Sequence, residues 1–164
     1  VEIEPNMTAG ELHDQLMYTG ADLLVKTVEA MAAGDYPLQD QVGLLAGREP
    51  KHAPKIFKED MKVDWTLGVD AIFNHIRGLS PFPTAWTEFR NKKNGEVVSL
   101  KIFETERIVK DHGKDVGLST DNKTYLDVLV EGGVIRIKEL QLSGKKRMKT
   151  EEFLRGFHIE DYSL

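Results

Sequence analysis

The chain has no cysteine in its 164 residues. That rules out a disulfide framework and a thiolate metal site, and a reducing, cytoplasmic setting fits it. No apolar run approaches the roughly 18 to 20 residues of a membrane span. The first residues, Val1-Glu2-Ile3-Glu4-Pro5, lack the basic and apolar regions of a signal peptide. Histidine is sparse: His13, His52, His75, His112 and His158 include no i,i+4 pair, so no metal site is expected. His13-Asp14 are neighbours that point to different sides of a helix and form no acid–base dyad. No glycine-rich phosphate cradle occurs; Gly132-Gly133 and Gly144 fit turns between strands.

What remains is a globular composition, 40% hydrophobic and 30% charged, at a length that suits one domain or two small ones. The net charge of −5 is unevenly spread. Residues 1–90 carry 8 Lys and Arg against 14 Asp and Glu, a net −6; residues 91–149 carry 13 against 9, a net +4. The basic half is the one to expect on an anionic partner.

Thr8-Ala9-Gly10-Glu11 is a capping-box pattern. Leu12, Leu16, Leu23, Leu24, Val28 and Met31 follow at helical spacing, and Gly34 suits a left-handed cap, so the spacing predicts a helix over 9–33. Only a strand-like Val1-Glu2-Ile3 precedes it, so its apolar stripe implies a sheet upstream. Pro37, Gly43, Gly47, Pro50 and Pro54 mark residues 35–60 as loop. A second helix is expected from Thr66 to Ile76, with Val69, Ile72, Phe73 and Ile76 on one face and a stop at Gly78. After Trp86 the period drops to two. Val97–Glu106, Tyr125–Val130 and Val134–Ile137 read as strands, the last two as a hairpin about Gly132-Gly133, and Leu140 and Leu142 extend the pattern. Thr150–Leu154 reads as a short capped helix.

Several separated segments carry a family resemblance: Thr8–Leu16, Ala53-Pro54-Lys55-Ile56, Val63-Asp64-Trp65, Ile76-Arg77-Gly78-Leu79-Ser80-Pro81-Phe82-Pro83-Thr84-Ala85-Trp86, and Leu140–Met148. In this order they resemble the methionyl-tRNA formyltransferases. The resemblance implies an α+β fold. A C-terminal remnant of a Rossmann-like formyltransferase domain plus the interdomain connector would occupy residues 1–90. A small OB-like β-barrel, the tRNA-binding domain, would occupy 91–164. It implies transfer of a formyl group from 10-formyltetrahydrofolate to the amino group of Met on initiator tRNA. The co-substrate site and the catalytic Asn, His and Asp would lie upstream of Val1, so no catalytic residue is expected here. Asn74-His75 is adjacent rather than spaced and does not match the family's Asn-x-His motif. The expected partner is initiator methionyl-tRNA, not DNA or a membrane, and the expected state is monomeric. Folate-dependent hydrolases and sugar-nucleotide formyltransferases share the two-domain plan; there the second domain would be a structural lid. A standalone binding module is a third reading, against which the uncovered helix stripe argues.

Lys145, Lys146, Arg147 and Lys149 form the densest cationic cluster. With the resemblance, they are expected on RNA phosphates; without it, a solvated turn explains them. Arg90, Lys92 and Lys93 could extend the track, or simply be solvated. Phe82 and Trp86 could stack on a base, but interdomain packing is the simpler expectation, since Pro81 and Pro83 hold them in a stiff connector. Glu104 and Glu106 read as a solvated strand face.

Overall fold

A computed structural model describes residues 1–164. The chain forms helices α1 (Ala9–Ala33), α2 (Gln41–Leu45), α3 (Val69–Leu79) and α4 (Thr150–Gly156). Its strands are β1 (Ala85–Asn91), β2 (Val97–Val109), β3 (Gly117–Thr120), β4 (Leu126–Val130), β5 (Gly133–Leu142), β6 (Met148–Lys149) and β7 (Tyr162–Ser163). One antiparallel, barrel-like sheet runs in the order β3-β4-β5-β2-β1-β7, with β6 beside β5. Long β2 bends where its register to β5 shifts at Glu104, and a bulge there increases the local twist that curls a sheet. The β3 and β7 edges do not pair with each other. Asn122 Nδ2 bridges that side by donating to Glu160 Oε2 at 2.5 Å.

The core lies between α3, α4 and the inner face of the sheet. Val69, Ile72, Phe73, Ile76 and Leu79 are the apolar positions of α3, and all are buried against Phe89, Leu100, Ile102, Leu126, Ile135 and Ile137. Trp65 joins them, its Nε1–H donating to Thr87 Oγ1 at 2.8 Å, so its polar edge is satisfied where it is buried. The buried Asp127 carboxylate accepts two bonds from Arg136, at 2.8 and 2.9 Å.

The expected helix at Thr66–Ile76 is displaced toward the C-terminus. Thr66 is engaged by Asp64, with its N–H and hydroxyl both donating to Oδ1 at 3.0 and 2.6 Å. That local turn competes with the first helical turn, and α3 starts only after Gly68. At the other end, burial of Leu79 carries the helix past Gly78. Strand β1 has no clear period-two signal because polar Thr87 lies on its inner face and apolar Trp86 on its outer one. Strand β3 is four residues long, too short to show alternation. The expected division at residue 90 falls inside β1, and the core runs across it without a break from Val63 to Ile159. In this structure α3 and the connector therefore belong to the packed unit of the sheet.

α1 has the predicted limits. The Thr8 N–H and the Glu11 N–H each meet the other's side chain, at 2.8 and 3.2 Å, and Gly34 caps at φ 73°. Its start is docked: Arg77 Nη1 donates to Met7 O at 2.7 Å and Gly10 N to Ser80 O at 3.0 Å. A Cβ on Gly10 would run into Pro81 Cδ, so the approach requires glycine. No α1 residue is buried, and Leu24 is 64% exposed.

Candidate nucleic-acid interface

Residues directly opposite in an antiparallel ladder share a face. Trp86 of β1 opposes Lys101 of β2, and Lys101 opposes Gln141 of β5. Their inward-pointing neighbours Ala85, Thr87, Leu100, Ile102 and Leu140 are buried, so this row lies on the outer face. Gln141 Nε2 donates to Lys145 O at 2.7 Å, and Ser143 N donates to Ser99 O at 3.1 Å. These bonds fold the turn after β5 back toward the row. Lys145 N closes the turn on Leu142 O at 2.9 Å, and Gly144 takes φ 76°. Lys101, Lys145 and Lys146 are exposed and have no carboxylate within ion-pair distance.

At the other end of the row, Lys58 and Lys62 place their Nζ 5.3 and 5.0 Å from the Trp86 ring. Trp86 Nε1 donates to Lys58 O at 2.8 Å, which holds the ring in place. Lys62 is paired with Glu88 at 2.7 Å, whereas Lys58 has no carboxylate partner. Lys55 sits 5.5 Å over the Phe57 ring. Cation–aromatic pairs of this kind fix a long side chain that would otherwise be mobile. Sequence reasoning missed Lys55, Lys58, Lys62 and Lys101. Their run of lysines was visible, but only the bridge of Lys62 to Trp86 and the β1–β2 register bring them beside the turn.

The seven cations expected on RNA divide into separate groups. Lys145, Lys146 and Lys149 are exposed and unpaired. Arg90 lies on the outer face of β1, four residues beyond Trp86, with Nη1 only 3.5 Å from Gly95 O. Arg147 is held otherwise: Nη2 pairs with Glu139, and the guanidinium stacks 4.4 Å over Phe103. Lys92 and Lys93 are also engaged. Lys92 Nζ donates to Glu160 O at 3.0 Å, and Lys93 Nζ pairs with Asp161 Oδ1 at 2.6 Å. The hydrogen bond and charge of Lys93 hold the Asp161 carboxyl below its ordinary range. These two lysines fasten the turn before β7 and do not stand free beside the connector.

Trp86 is half-buried on the outer face and held by its bond to Lys58, whereas Phe82 is 85% exposed. No group of three or more His, Asp or Glu side chains is placed to hold a metal. Glu104 and Glu106 are exposed, and Glu106 lies 3.9 Å from Lys138.

Residues 55–158 match the formyl transferase C-terminal domain family. A methionyl-tRNA formyltransferase of Phocaeicola vulgatus is 45% identical over 152 residues, which are 92% of this chain and 47% of that protein. The chain thus spans about half the length of the curated relatives it matches. Among solved structures, a HypX variant from Aquifex aeolicus superimposes with a TM-score of 0.64 at 14% identity, covering 98% of this chain and 28% of that one. HypX in complex with tetrahydrofolic acid gives a TM-score of 0.52 at 16% identity over 87% of this chain and 26% of that one. These two likenesses concern the fold. The chain belongs to the formyl transferase family, and residues 55–158 are its C-terminal domain.

Proposed function

We propose that this chain is the RNA-holding part of a methionyl-tRNA formyltransferase. The complete activity would move a formyl group from 10-formyltetrahydrofolate to the amino group of Met on initiator tRNA. One observation carries the RNA role: the register row Trp86–Lys101–Gln141, which joins Lys58 at one end to Lys145 and Lys146 at the other across the outer face of β1, β2 and β5. Cations in a line on a sheet, with an aromatic ring among them, suit a polyanion held by its backbone, as on an OB-like barrel. Such contacts position the RNA; they do not read its bases. Positioning is itself catalytic, because a placed aminoacyl end turns a bimolecular encounter into a nearly unimolecular step.

The catalytic Asn, His and Asp would come from a Rossmann-like part, of which α1 is the last large helix. The apolar side chains of α1, Leu16, Leu23, Leu24 and Val28 among them, are exposed and would lie against that part. The co-substrate would bind with the catalytic residues. Within this reading the protein is a cytoplasmic monomer, and neither DNA nor a membrane is its partner.

The test is a titration of the chain with initiator tRNA at several salt concentrations. Affinity should fall linearly on a log–log plot, with roughly 0.7 to 0.9 in slope per phosphate neutralised. A flat salt dependence, or no binding at low salt, would leave the structural-lid role of the related hydrolases as the better reading.

A further inference from the structure

Beside the outer face lies a cleft of about 1430 Å³, between the start of α1, the end of α3 and the middle of β2. Phe82 lines it and is 85% exposed, the largest exposure of any aromatic ring in the chain. The ring stands on a fastened turn. Ser80 and Thr84 on either side are buried, at 4% and 3% exposure. Ser80 Oγ donates to Phe103 O at 2.7 Å, Thr84 N donates to Leu79 O at 2.9 Å, and Thr84 Oγ1 donates to Pro81 O at 2.5 Å. The polar side chains of the turn are thus turned inward, and the one large apolar side chain is turned out. With the turn that carries it already fixed, only the two side-chain torsions of the ring lose freedom when something covers it.

The rest of the cleft favours a nucleobase as that cover over an apolar protein surface. Two guanidinium planes line it, each on an aromatic ring: Arg147 at 4.4 Å from Phe103 and Arg107 at 5.2 Å from Phe73. Most other lining residues are polar or charged, whereas the core of a protein–protein interface is depleted of charged groups. Three of its four carboxylates are engaged, Glu11 in the α1 cap, Asp14 at 3.2 Å from His13, and Glu106 near Lys138, and Glu104 alone has no partner. Phe103 lies two residues beyond Lys101 on β2, so the cleft continues the cationic row.

We infer that this cleft receives an unpaired nucleobase at the aminoacyl end of the tRNA, and that Phe82 stacks on it. This rests on the RNA-holding reading given above. The cleft lies against α1, the element expected to meet the catalytic part, so a strand bound there would have its end directed at the chemistry. Stacking of a base on an aromatic side chain is sequence-tolerant and strong enough to fix one nucleotide.

The experiment measures binding of the chain to initiator tRNA and to the same tRNA lacking its unpaired 3′ end, for the wild type, Phe82→Ala and Phe82→Trp. Phe82→Ala should weaken the intact tRNA by roughly 5- to 150-fold, leave the shortened tRNA unchanged, and be rescued by Phe82→Trp. Equal weakening of both RNAs would overturn the stacking role, since the ring would then serve the fold or a duplex contact. Unchanged affinity of Phe82→Ala for intact tRNA would overturn it too, while the RNA-holding reading stood. Failure of the wild type to bind either RNA would overturn both.

Discussion

Replacing Phe89 with alanine is expected to destabilise the fold by about 3–5 kcal/mol, the usual cost of removing a buried aromatic ring and leaving its cavity. Phe89 is 0% exposed and sits on the inner face of β1, in the core shared by α3, β2 and β5. Neither neighbour can fill the gap by a small move. The α3 side is pinned by Val69 N–H donating to Glu131 O at 2.9 Å, and the sheet side is pinned by the β1–β2 ladder. Phe89 is flanked on its strand by the outward-facing Glu88 and Arg90, so loss of the core also loosens the cationic face. Urea unfolding followed by circular dichroism measures this. A loss under about 1 kcal/mol would mean that helix and sheet do not share one core.

Changing Lys101, Lys145 and Lys146 together to alanine is expected to cost on the order of 100-fold in affinity for initiator tRNA near 0.1 M salt. The log–log salt slope should fall by about 2 to 3, since each contact released carries roughly 0.7 to 0.9. Folding stability should stay within about 1 kcal/mol, because the three side chains are exposed and form no ion pair. This separates an RNA role from a structural one. Lys92 and Lys93 provide the contrast. Their Nζ atoms hold Glu160 and Asp161, so their removal acts on the C-terminal segment and not on the salt slope. A triple variant with the wild-type slope would show that the outer face does not touch phosphate.

Much of this was legible in the residues because local signals and tertiary packing agree. Thr8, Glu11 and Gly34 set both ends of α1, and Gly132, at φ 76°, takes the left-handed position between β4 and β5 that a side chain would resist. Gly133 must also be glycine, since a Cβ there would strike Ile108 O. The continuity of the core across residue 90 was not legible. Pro81 and Pro83 look like a linker, and only the burial of Ser80, Thr84 and Ala85 reveals that this stretch is wedged into the core. The site was legible as a cluster of charge but not as a surface. Nothing local distinguishes Arg147, which turns onto Phe103 and Glu139, from Lys145 and Lys146, which do not. The place of Lys101 in the row follows from its cross-strand partners, and strand register lies outside the reach of local patterning.

The most direct measurement is chemical-shift mapping of the backbone amides and the Trp86 indole during titration with initiator tRNA at low salt. If RNA lies on the outer face of β1, β2 and β5, the shifts concentrate at Trp86, Lys101, Gln141 and the Ser143–Lys146 turn. Shifts confined to the β3–β4 hairpin and the C-terminal segment, with that row unmoved, would contradict it.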